Sequence, residues 1–147
     1  MASTIIFQLT SLDCIRATES EDEVYLNVLG EFLDNSSKIT ERFPKNENNI
    51  WVLKTGDKIT GFDIYAGPLQ SGIKFNFKLM EQDLKGLLSA IKGVDDLLGE
   101  VEISILTDGS VKVLGVKNVT ILSSDKSDIG LSFQGEKGEY QIRMKIS

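Results

Sequence analysis

The chain has 147 residues, with 22 acidic against 16 basic side chains, a net charge of −6 and 41% hydrophobic residues. That length supports one domain, 1–147, with a core of its own, and the acidic balance argues against nucleic acid as a partner, which needs a basic surface. Histidine is absent, which removes the commonest general base and transition-metal ligand.

The N-terminus carries neither a basic leader nor a long apolar run. Neither a signal peptide nor a transmembrane segment is expected. The cytoplasm is the default location, with signal-less export left open. Ile5, Phe7 and Leu9 alternate with Ile6, Gln8 and Thr10, the period-two pattern of a strand with one buried face. Cys14 follows between Leu12 and Ile15, as a small hydrophobe would. With one cysteine, no intrachain disulfide is available.

Glu19-Ser20-Glu21-Asp22-Glu23 is an acidic run directly before the strand Val24-Tyr25-Leu26-Asn27-Val28. Residues 30–49 are polar and turn-rich and read as a long loop. Ile50–Leu53 and Ile59–Tyr65 read as two strands joined by the turn residues Lys54-Thr55-Gly56-Asp57. Trp51, just after the Asn-rich loop, is expected in the core or at its rim. Residues 72–80 alternate again, with Lys74, Asn76 and Lys78 on the exposed side.

That strand runs into Glu81 and Asp83. Beyond them, Leu84, Leu87, Leu88 and Ile91 recur at helical spacing, so a short helical insert is expected near 84–92. Two uses of its apolar face stay open: packing on the sheets, or contact with a membrane or partner protein. Asp95 and Asp96 then precede the alternating run Val101, Ile103, Ile105. Asp108-Gly109 marks a hairpin into Val111–Val116, and 118–123 reads as a continuation of that strand. Gly135 to Gly138 reads as a turn before Tyr140, Ile142, Met144 and Ile146, the closing strand.

The expected fold is all-β: an eight-stranded antiparallel sandwich. Acids gather where strands meet loops, and one end of a sandwich brings such loops together. Calcium takes six to eight oxygens, several of them carboxylate. Convergence on an ion stands against the ordinary reading of loop acids as solvated charges. With no histidine and no nucleophile motif, the chain is not expected to be an enzyme.

Three stretches resemble C2 domains, the calcium- and phospholipid-binding β-sandwiches, and also small C2-like domains of bacterial proteins of unassigned role. "ESEDEVYLNV" (19–28) resembles the family's first calcium loop and the strand after it. "KLMEQD" (78–83) resembles its strand ending in Asp-x-Asp, and "VDDLLGEVEI" (94–103) the following Asp-x-Ile-Gly and its strand. The resemblance implies a C2-like sandwich that takes up calcium and engages a phospholipid surface or a protein partner. It implies Glu19 and Asp22 or Glu23 as first-loop ligands, with Glu81, Asp83, Asp96 and its neighbour Asp95 completing the set. It places Leu84, Leu87, Leu88 and Ile91 on the loop that meets a membrane or partner. The chain departs from the pattern in having Glu81 for Asp and no proline in the first motif. A metal-independent assembly subunit, pairing through an edge strand, is the alternative.

Overall fold

The computed structural model describes residues 4–82, 95–135 and 138–147. They form an all-β sandwich of two sheets, every strand pair being antiparallel. The strands are β1 (Thr4–Arg16), β2 (Asp22–Phe32), β3 (Lys38–Phe43), β4 (Trp51–Leu53), β5 (Lys58–Pro68), β6 (Ile73–Glu81), β7 (Asp96–Ile105), β8 (Val111–Lys117), β9 (Val119–Asp125), β10 (Asp128–Gln134) and β11 (Glu139–Ile146). One sheet has the order β5-β1-β11-β10-β9. The other has β3-β2-β6-β7-β8, with β4 also paired to β2.

The described residues thus hold eleven strands, not the expected eight. Three differences account for the change. Residues 38–43, expected inside a long loop, pair with β2 although only Phe43 of them is buried. Residues 118–123 do not continue β8. Asn118 takes a positive φ of 55°, and the chain crosses to the other sheet as β9. Asp128–Gln134, not read as a strand, lies mid-sheet between β9 and β11. Its sequence does alternate, Ile129, Leu131 and Phe133 with Gly130, Ser132 and Gln134, and in place both kinds of position are buried from Ile129 to Phe133. The helical insert expected near 84–92 falls outside the described residues.

The inward faces follow the alternation. Phe7, Leu9, Leu26, Val28, Phe75, Phe77, Leu79, Val101, Ile103, Leu131, Phe133 and Ile142 belong to one core shared by both sheets. Phe7 of β1 meets Phe75 and Phe77 of the facing sheet edge-on, at 5.2 and 5.7 Å between ring centroids, the geometry aromatic quadrupoles favour. Burying each such side chain contributes roughly 1.5–3 kcal/mol. Cys14 and Trp51 are buried in this core as expected, and Trp51 lies 5.9 Å from Phe62.

Strand direction sets where the loops fall. The ends of β1, β4, β6, β8 and β10 and the starts of β2, β5, β7, β9 and β11 share one end of the sandwich. The acidic run before β2 and the acids around β6 and β7 are therefore neighbours in space.

Candidate functional site

Asp22 opens β2 on the inward face and is completely buried. Its Oδ2 accepts the Thr18 amide at 2.8 Å and the Tyr140 hydroxyl. Its Oδ1 accepts the Thr18 hydroxyl at 2.6 Å and the Glu19 amide at 3.2 Å. A carboxylate has about four acceptor positions, and here all are used. Burial acts to raise the Asp22 carboxyl, but the hydrogen bonds from Thr18 and Tyr140 outweigh it and hold the group below its ordinary range. Asp22 is thus a staple: it closes the 17–21 turn and ties β2 to β11 of the opposite sheet.

The Thr18 hydroxyl also lies 2.8 Å from Glu81 Oε2. One hydroxyl proton cannot serve two carboxylates. When it goes to Asp22, the contact with Glu81 needs a proton on Glu81. Burial first, then the hydrogen bond to Asp22 and the charges of Asp22 and Glu19, push the Glu81 carboxyl up to about 7, with the Thr18 hydroxyl opposing.

Above this pair opens a depression of about 550 Å³, lined by Thr18, Glu19, Glu81, Asp96, Leu97, Leu98, Lys117, Asn118 and Gly135. Three carboxyl groups and a lysine thus border a surface with two leucines. Gly99 follows Leu98 because the sheets come close here: a Cβ at Gly99 would stand 2.5 Å from Phe133.

The β pleat divides the acids that the sequence groups together. Asp22 and Glu81 sit on the inward side of their strands, and Asp96 pairs with Glu81 across β6 and β7. Glu23 is one residue out of phase and lies on the outer face beside Val52. Asp95 is also on the outer face, where it accepts the Tyr25 hydroxyl. The Arg42 guanidinium stacks 3.6 Å above the centre of the Tyr25 ring, a cation–π contact. Burial and the bond to Asp95 push the Tyr25 hydroxyl up to about 12, with Arg42 opposing. Asp83, Leu84, Leu87, Leu88 and Ile91 lie outside the described residues. Among the described residues, no group of three or more acids is arranged to grip a metal ion.

Thr18, Tyr140 and Lys117 were not singled out by sequence reasoning. Tyr140 was read correctly as an inward residue of the last strand. Nothing in a linear pattern shows that its hydroxyl meets Asp22, 118 positions away.

The fold and this end define a two-sheet antiparallel β-sandwich with an acid-rimmed depression. No family model matches the chain, and no curated protein is recognisably similar to it in sequence. Among solved structures it is similar to a chain described as "CC2D1B coordinates ESRCT-III activity during the mitotic reformation of the nuclear envelope", with a TM-score of 0.42 and 12% identity. That likeness covers 99% of this chain and 55% of the other, so this chain spans about half of its length. Among the described residues, no helix is long and apolar enough to cross a membrane.

Proposed function

We propose that this chain is a non-enzymatic binding module of C2-like type that receives a cation at the acidic end of the sandwich and engages a phospholipid or protein surface through that end. The observation behind this reading is that Glu19, Glu81 and Asp96, drawn from three separate segments, border one open depression, spread around it rather than gathered into a ready metal cage. Calcium is the cation that suits carboxylate oxygens. Asp22, with its acceptor positions used, supports the turn and leaves ion binding to the acids around it. Glu23 and Asp95 stand on the other side of the sheet and are not part of the same cup. Leu84, Leu87, Leu88 and Ile91, which lie between β6 and β7 in the sequence, would supply the surface contact.

Two features favour binding over catalysis. The chain has no histidine. Its one thiol, Cys14, is buried, and burial pushes it up, away from the thiolate form that attacks substrates.

Glu81 would hold a calcium ion only as the carboxylate, so uptake would compete with its proton and strengthen as pH rises through neutrality. The test is a melting curve in millimolar calcium and in EDTA, with vesicles of phosphatidylserine and phosphatidylcholine for the contact. Calcium should raise the melting temperature by mass action on the folded state and promote vesicle co-sedimentation. Identical curves in calcium and EDTA would sink the metal reading. A metal-independent assembly role is the second reading, favoured by apolar side chains exposed on β8 and β9.

A further inference from the structure

The resemblance assigns Asp22 to the first-loop calcium ligands, and the surroundings of Asp22 do not fit that part. Calcium needs carboxylate oxygens with open lone pairs. Asp22 has about four acceptor positions, and the chain's own donors fill them. The Thr18 amide and the Tyr140 hydroxyl bond to Oδ2, and the Thr18 hydroxyl and the Glu19 amide to Oδ1. The carboxylate is completely buried, and Tyr140 is 1% exposed. An ion could reach Asp22 only by breaking those bonds and leaving buried donors unmet.

Other contacts fix the same turn. The Ala17 amide donates to the Thr55 hydroxyl at 2.9 Å, in the turn between β4 and β5. A Cβ at Gly138 would stand 2.5 Å from the Thr18 methyl carbon. The backbone just before β11 therefore lies against that methyl group and limits the rotamers open to Thr18, whose hydroxyl is directed at Asp22. Glu19, whose amide Asp22 holds, stands at the rim of the depression. A line of contacts thus runs from Tyr140 in the last strand through Asp22 to Glu19.

We propose that Asp22 is the internal scaffold of the acidic end rather than one of its ligands. The Thr18 and Tyr140 hydroxyls and the Thr18 and Glu19 amides hold the places an ion would take on it, so the 17–21 turn is set by the chain alone. Tyr140 is then a positioning residue, acting on Glu19 through Asp22. On the cation reading proposed above, an ion at Glu19, Glu81 and Asp96 enters an end already shaped; this consequence rests on that reading, and the scaffold itself does not.

The test is amide hydrogen exchange by NMR on the full chain, in EDTA and in millimolar calcium. In EDTA the Thr18 and Glu19 amides should exchange roughly tenfold or more slowly than the Ser110 amide, which bonds to the exposed Asp108. Tyr140→Phe keeps the ring and should stay folded by circular dichroism. It should speed both amides by roughly tenfold, the scale of one hydrogen bond, and leave Ser110 unchanged. Thr18→Ser retains the hydroxyl and should keep the Glu19 amide slow, whereas Thr18→Val should release it. Exchange in EDTA as fast as at Ser110, slowing only in calcium, would show a turn built by the ion and overturn the proposal. Parent-like rates in Tyr140→Phe would overturn it too. Melting in calcium tests the cation reading separately: slow exchange in EDTA supports the scaffold whether or not calcium shifts the melting curve.

Discussion

Asp22 and Asp108 close two turns by similar chemistry in opposite surroundings. Asp108 Oδ1 accepts the Ser110 amide at 2.9 Å and the Ser110 hydroxyl at 2.6 Å, at the exposed turn between β7 and β8. Asp22 accepts the amide and hydroxyl of Thr18 at 2.8 and 2.6 Å. Both carboxyls are held below their ordinary range, Asp108 by the bonds from Ser110 and Asp22 by those from Thr18 and Tyr140 against its burial. Only Asp22 is sealed from water, shared with Tyr140 of the facing sheet and set against a second carboxyl. In water, a lost acceptor is replaced by solvent. In the core, its donors are left with nothing. The same local motif is thus a turn preference at Asp108 and a join between sheets at Asp22.

Removing the buried carboxylate should show the largest effect. Asp22→Ala leaves the Thr18 and Tyr140 donors unmet, at about 1–3 kcal/mol each. Urea unfolding should therefore lose about 3–4 kcal/mol in all. A loss below about 1 kcal/mol would mean that water enters to replace it, and the contrast with Asp108 would collapse.

Tyr140→Phe removes one donor and keeps the ring in the core. It should cost about 1–2 kcal/mol by the same measurement. No change would show that the tie between the sheets contributes nothing beyond packing.

Glu81→Gln sharpens the comparison through pH. The folded value of Glu81 is about 7, above its usual 4.5. Below about pH 4.5 the carboxyl is protonated in both states and its contribution is constant. Between about 4.5 and 7 the unfolded chain ionises first, so this group's contribution to stability falls as pH rises, and the loss is complete above 7. Asp22 has the opposite sign, its contribution being lost only in acid as pH falls through its depressed value. Stability measured from pH 4.5 to 7.5 should therefore slope downward less steeply in Glu81→Gln than in the parent chain. An unaltered slope would place the shared proton elsewhere.

The smallest effect is expected at the exposed turn. Asp108→Ala should leave the unfolding midpoint within the scatter of repeat measurements, because Gly109, with φ of 84°, already takes the backbone form that the turn requires. A loss comparable to that of Asp22→Ala would show that the turn chemistry itself, not burial, is what matters.

Period-two alternation in the sequence was enough to reveal a β-sandwich, because a strand with one buried face must alternate. Phe7, Phe75, Phe77 and Ile103 were legible as core for that reason. Gly56 and Gly109 marked their turns, since positive φ suits glycine. β3 escaped because only Phe43 of its short segment is buried, and β10 because its alternation of Ile129, Leu131 and Phe133 is short and set against small residues rather than charged ones. The crossover at Asn118 escaped because a single residue turning the chain between sheets leaves almost no sequence signal. The acids were legible as a group at one end, but not by side. Asp22 and Glu23 are neighbours in sequence, and the pleat sends one into the core and the other to the surface. Which carboxylate is saturated, which holds a proton and which faces the depression depends on the register of β2 against β6 and on Tyr140 arriving from the last strand. Those are distances between remote residues, and only the packed sheets decide them.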